Sequence, residues 1–279
     1  MKILFIVLVL SCSLFAKDFT FDQETGKAVP NHLGEIKLLR GKVFKKHQGK
    51  TTEVKTGTRF NKDDTVFTEQ RSFAKILLVD DTVLTVGPNS ELNFSEFKYV
   101  DKTNRQITFD FIKGQLRALV VNKAKEGDLK FKTKAALMGV RGTELLINHQ
   151  TLNALEISEF ALLNGAAEVL DNKNEKYSLT KLERITIMLD PGNSEMASDK
   201  NTLSEEEQKL LKAEEAMMPY FQIENLSKTS ALYSHLQKLP VSDVTSGESN
   251  QAPINQDERK NWRHNLQKLN EKLKQNQKK

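Results

Sequence analysis

The chain has 279 residues, 38% of them apolar, and a formal net charge of +5. The length suits one or two domains, and the low apolar fraction means that part of the chain stays extended or thinly packed. Residues 258–279 hold eight Lys or Arg against two Glu, a charge of +6, so everything before them sums to about −1; the basicity belongs to a tail, which argues against nucleic acid as a partner.

Residues 1–16, "MKILFIVLVLSCSLFA", carry one early cation, Lys2, then an apolar run from Ile3 to Leu10 and a moderately apolar stretch to Ala16. This is the pattern of a secretory signal peptide. It is too short to span a membrane, and no later segment approaches ~20 apolar residues. Cys12 is the only cysteine. The "VLSC" ending on it is similar to the site where bacterial lipoproteins are cleaved and lipidated. Against that reading, the apolar run ahead of Cys12 is short and "SLFA" behind it is unusually apolar. Cleavage after Ala16 leaves no cysteine, hence no disulfide, thiol nucleophile or thiolate metal site. Either processing places the protein outside the cytoplasm, in the periplasm or envelope, with no transmembrane segment after signal removal.

Residues 17–33 read as an extended lead-in. From Gly34 to about residue 190 the text is a series of short strands. "EIKLLRGKVFKK" alternates around Ile36, Leu38 and Val43, with Gly41 at a turn or bulge. Ala74–Val79 and Val83–Val86 flank a tight Asp80-Asp81 corner, where Asp side chains bond local backbone N–H groups. Ile107, Phe109 and Phe111 alternate, and Gly114 marks a turn. "LKFKTKAALMGVRGTELLIN", "NALEISEFALLNGAAEVLD" and "YSLTKLERITIML" complete the series. The pieces run four to seven residues between tight turns, without crossover helices. The fold class this predicts is mainly β: a rolled or solenoid-like β-sandwich of short strands, followed by C-terminal α-helices.

Residues 200–239 form the helical segment. Ser204 and Glu207 make a capping box, and Leu210, Leu211, Ala213, Ala216, Met217 and Met218 share one face of a helix over 204–218 that Pro219 ends. A second helix is predicted near Leu226–Leu239. Residues 240–257 are rich in Ser, Pro, Asn, Gln and Gly and predict a flexible linker. Residues 258–279 predict a basic amphipathic helix, with Trp262, Leu266, Leu269 and Leu273 on one stripe.

The β region resembles the FecR-type periplasmic domain family. The similar elements are "GEIKLLRGKV" (Gly34 to Val43); Gly57, Asp63, Asp64 and Thr68; Asp80, Asp81, Leu84, Pro88, Asn89, Ser90 and Leu92; Ile112, Gly114, Leu116 and Arg117; and Phe131, Thr133, Ala135, Gly139 through Thr143, Leu145 and Ile147. The most specific is "GVRGTE". A departure falls at Thr82, where the family often has Gly-Ser after the Asp. The resemblance covers about residues 34–190. It implies a run of short β-strands and, in the best-known members, a part in passing a signal from an outer-membrane receptor to a cytoplasmic sigma factor. No internal membrane helix or sigma-binding segment is read here, so the chain looks like one of the family's freestanding exported members.

The site reading follows from "GVRGTE". Gly139 and Gly142 bracket Val140 and Arg141, so the chain can turn tightly there. Arg141 offers five donors in a fixed fork; folded inward, it ties loop carbonyls or a carboxylate, with Thr143 and Glu144 beside it. The expectation is a structural lock. The alternative for the same residues, with Ser90 and Arg117, is binding of a ligand or partner; Arg117, Lys123 and Lys125 read as a solvated strand rim, with an anionic ligand as their alternative. His32, His47, His149, His235 and His264 lie far apart without metal-ligand spacing, and no catalytic or phosphate-loop motif is present. Catalytic, cofactor and metal residues are therefore assigned as none. The C-terminal stripe suits docking on a partner, self-association or an anionic surface, and the alternative is a loosely ordered solubilising tail. The function expected is a non-enzymatic exported protein that scaffolds or binds a cell-envelope protein or glycan. The alternatives are an accessory sensor in cell-surface signalling and, from another class, an enzyme acting on envelope glycans.

Overall fold

The computed structural model describes residues 19–218 apart from 22, 24, 25, 103, 123–126, 153, 193, 214 and 215. In the lead-in, β1 (Phe19–Phe21) and β2 (Ala28–Pro30) pair as an antiparallel ribbon. The remaining strands form one 15-stranded sheet. They are β3 (Gly34–Arg40), β4 (Val43–His47), β5 (Lys50–Glu53), β6 (Arg59–Phe60), β7 (Thr65–Thr68), β8 (Phe73–Leu78), β9 (Val83–Val86) and β10 (Glu91–Asp101). They continue with β11 (Asn104–Leu119), β12 (Leu129–Lys132), β13 (Ala136–Leu152), β14 (Leu155–Asp171), β15 (Lys176–Leu179), β16 (Glu183–Asp190) and β17 (Glu195–Thr202).

The chain is mainly β, as expected, but its strands are not uniformly short. β11, β13 and β14 run for 16, 17 and 17 residues. Gly114 and Gly142, which read as turns, sit inside strands, as does Gly165, with φ of +99°, +61° and +92°. Glycine takes these values without strain, so each strand bends and continues. The ladder between β13 and β14 slips at Arg141/Glu144 and Glu144/Leu145, a bulge at the bend. A Cβ on Gly165 would fall 2.7 Å from the Gly142 carbonyl oxygen and 2.7 Å from the Thr143 methyl, so the two bends stack. Gly139 is different. It pairs with Lys130 and Glu168 in an ordinary strand, with open space where a Cβ would sit.

The bends let the long strands serve two sectors. In the first, β5-β4-β7-β10-β11-β12-β13-β14-β15 are neighbours; in the second, β3-β8-β9-β11-β13-β14-β16-β17. β12 lies parallel to β11 and antiparallel to β13, wedged between them in the first sector, whereas the two touch directly in the second. The inner faces of both sectors meet in one apolar core. At its centre Phe60 of β6 lies 5.3 Å from Phe94 of β10, and Phe94, Phe109 and Phe131 continue the stack at 5.7 and 5.0 Å. These offset and tilted contacts are the preferred ring geometries.

Two boundaries move. β17 extends the sheet past residue 190 to Thr202. The helix expected over 204–218 is confined to α1 (Glu205–Leu210), although its capping box forms as read: Glu207 N–H donates to Ser204 Oγ at 3.2 Å and Ser204 N–H to Glu207 Oε2 at 2.8 Å. The helices read near 226–239 and over 258–279, and with them Trp262, Leu266, Leu269 and Leu273, lie outside the described residues, as do residues 1–16, Cys12, Lys123 and Lys125. No helix among the described residues is long and apolar enough to cross a membrane.

Candidate functional site

Strand alternation sends every second side chain of the second sector away from the core. Register then aligns those outward residues into rows across the sheet. One row runs Lys75, Thr85, Arg117, Leu146, Ala161, Arg184 and Asn201 from β8 to β17. The next runs Gln115, Asn148, Glu159, Thr186 and Asp199. All but Asn201 are buried. This outer face is therefore polar and covered, which is the unusual combination for a sheet.

Part of the cover is the strap formed by α1 and the residues after it. Leu203, Leu211 and Met218 pack on Leu146 and Ala161 as a small second core. Polar groups hold the rest. Gln115 Nε2 donates to the Met218 carbonyl at 2.6 Å. Arg117 Nη1 donates to the Ala213 carbonyl at 2.5 Å and the Ala216 carbonyl at 3.1 Å. The other side of the Arg117 fork grips Glu144, with Nε 3.0 Å from Oε1 and Nη2 on the same oxygen. Arg184 Nη1 donates to Glu207 Oε1 at 2.6 Å, and its Nε donates to Asn201 Oδ1 at 3.1 Å.

Glu159 sits under this strap, 2% exposed, and accepts from Asn148 Nδ2 at 3.0 Å. Burial pushes its carboxyl up to about 7; Arg184 and the Asn148 amide pull the other way, and Glu207 adds to the rise. Burial also pushes Glu207 up, but the Ser204 N–H and Arg184 outweigh it and hold that carboxyl below its ordinary value. One arginine thus stands between two carboxylates of opposite tendency.

The motif residues occupy other places. Arg141 is exposed, and its side chain makes no hydrogen bond or ion pair among the described residues. The inward fork expected of it belongs instead to Arg117, which pairs with the motif's own Glu144. Thr143 is buried at the bend, where its carbonyl accepts from Val120 N–H at 2.8 Å. Ser90 fills the space that Gly114 leaves: its Oγ accepts from Gln115 N–H at 2.9 Å, and a Cβ on Gly114 would lie 2.2 Å from that oxygen. Thr68 Oγ1 accepts from Ser90 N–H at 2.9 Å and donates to the Gly87 carbonyl at 2.5 Å, which completes the corner.

The Asp80-Asp81 turn is as read, with Thr82 N–H donating to Asp80 Oδ1 at 3.0 Å. Sequence reasoning missed the buried ion pair it anchors. Arg105 Nε lies 2.9 Å from Asp80 Oδ2, out of line for a straight hydrogen bond, so the contact is ionic; Nη2 donates to the Asn122 carbonyl at 2.9 Å. Burial raises the Asp80 carboxyl, with Arg105 and Thr82 opposing.

A further cluster lies on the core side. His149 Nδ1 is 2.9 Å from Ser158 Oγ, and its Nε2 is 3.5 Å from Glu156 Oε2. The order of groups resembles a nucleophile, base and orienting acid. Ser158 is 0% exposed, however, and its hydroxyl bonds Thr133 Oγ1 at 2.8 Å. Burial holds His149 below its ordinary value, with Glu156 opposing. The cluster is a buried polar plug, capped at its Glu156 end by Lys134 Nζ at 2.6 Å from Oε1. Among the described residues no three of His, Cys, Asp and Glu converge to hold a metal.

Residues 64–168 match the family model described as FecR protein. Two crystal structures of an anti-sigma factor candidate from Parabacteroides distasonis are similar to this chain at 18% identity and a TM-score of 0.39. The similarity covers 50% of this chain and 60% of that one, so the chain spans less than two thirds of the protein it matches. No curated protein matches the chain.

Proposed function

We propose that this chain, which carries a FecR domain over residues 64–168, is a regulator of cell-surface signalling that acts by binding a cell-envelope protein rather than by catalysis. The family match carries the reading. The polar outer face agrees with it, because it presents donors to a polypeptide, while the Ser158–His149–Glu156 grouping is buried. We further propose that the protein works outside the cytoplasm, on the strength of the leader-like residues 1–16.

The test is mild crosslinking of the tagged full chain in intact cells, followed by mass spectrometry. Recovery of an envelope protein that depends on the tagged chain is the expected result. Recovery of a glycan alone moves the partner class. Recovery of neither overturns the binding reading.

A further inference from the structure

A sheet face selected only for packing carries apolar residues, because each buried polar group costs free energy unless it is partnered. The outer face of the second sector instead buries Arg117, Arg184, Gln115, Glu159 and Thr186. Gln115 Nε2 and Arg117 Nη1 donate to the main-chain carbonyls of Ala213, Ala216 and Met218, while Nε and Nη2 of Arg117 stay on Glu144, so the two donors that reach the strap recognise the path of a peptide and not its side chains. The Thr186 hydroxyl, fully buried in the same face, has no hydrogen-bond partner among the described residues.

The strap is also lightly attached. Leu203 N–H donates to the Leu182 carbonyl at 2.8 Å, but past it no main-chain amide of the strap bonds a strand among the described residues. The bonds from Gln208 to Ser204, Leu211 to Glu207 and Ala216 to Ala213 are internal to it. What joins the strap to the sheet is a set of side-chain donors and the apolar seats of Leu211 and Met218. Such a segment opens without breaking a strand ladder.

We infer that the strap, residues 204–213 with 216–218, is a built-in occupant of a peptide-docking face, and that a segment of a partner protein takes the same face when the strap lifts. The partner segment shares the strap's chemistry. It brings two apolar residues to Leu146 and Ala161, main-chain carbonyls to Gln115 and Arg117, and a carboxylate to Arg184. The inference rests on the binding reading above and names the surface that reading uses.

The test uses the full chain carrying Leu211→Glu and a fluorescein-labelled synthetic peptide of residues 203–218. Anisotropy titration gives peptide binding at least tenfold tighter for the variant than for the unchanged chain, and adding Arg117→Gln weakens it at least tenfold. A variant with intact strand circular dichroism that binds no better than the unchanged chain overturns the inference. Hydrogen exchange on the unchanged chain decides the matter even where the variant does not fold. There the amides of Gln208, Leu211 and Ala216 exchange at least a hundredfold faster than those of β16, and equal protection overturns the inference. Failure of both measurements alongside recovery of a crosslinked envelope protein removes the docking face and leaves the binding reading standing.

Discussion

Replacing Glu159 by Gln tests the electrostatics of the covered face. The carboxyl ordinarily titrates at 4.5 and is pushed up to about 7 in the fold. Between those values the unfolded chain has lost the proton that the folded chain keeps. The folded state therefore binds more protons, and stability falls as pH rises through the window. The gap is about 2.5 pH units at about 1.4 kcal/mol each, so this one group removes about 3 kcal/mol between pH 4.5 and 7. Glutamine cannot ionise, and its side-chain oxygen still accepts from Asn148. The variant therefore matches the parent near pH 4.5 and exceeds it by about 3 kcal/mol above pH 7.5, or about 6–12 °C in melting temperature for a domain of this size. His149 contributes the opposite slope, because its depressed value makes stability fall as pH drops below the ordinary 6.5. That slope is common to both proteins and cancels in their difference. The assay is urea unfolding of both chains at half-unit steps from pH 4.5 to 8. Parallel stability curves would refute the reasoning, and would mean that Arg184 keeps Glu159 ionised throughout.

Arg117→Ala strands Glu144 and removes both carbonyl bonds to the strap, a loss of about 2–3 kcal/mol by urea unfolding. Arg141→Ala, three residues before that same glutamate, changes stability by less than about 0.5 kcal/mol in the same assay, since the side chain is exposed. Gly165→Ala costs about 2–3 kcal/mol, because the new methyl meets the Gly142 carbonyl at a left-handed backbone position; an unchanged melting curve would show that the stacked bends relax freely.

The sequence carried local features well. Asp80-Asp81 and the Ser204–Glu207 box form as read, because each is decided by groups two or three residues apart. Arg141 was also decidable locally. Ala136, Met138 and Val140 are the buried members of an alternating strand, so the next residue must point outward. An arginine folded inward beside Gly142 would break that parity. The bulge at Gly142 then shifts the phase, which is why Glu144 reaches Arg117. The helix expected through Met218 ends at Leu210 because Leu211 and Met218 find apolar seats on the sheet and the Ala213 and Ala216 carbonyls are taken by Arg117. Tertiary bonding outweighs helix propensity there. The outer rows were not legible, since Arg117, Leu146, Ala161 and Arg184 become neighbours only through the register of four strands.

The stacked glycines impose a rule on chain length. Leu152 pairs with Leu155 at the tip of the hairpin, and Arg141 pairs with Ala166 just past the bends, so the two register slips cancel and the two arms are equal in length. A residue inserted in one arm alone would carry its glycine out of step with the other and turn the far half of that strand inside out. Descendants of this chain can lengthen or shorten the hairpin only by changing both arms together, whereas the loops at the sheet's margins are free to vary one residue at a time.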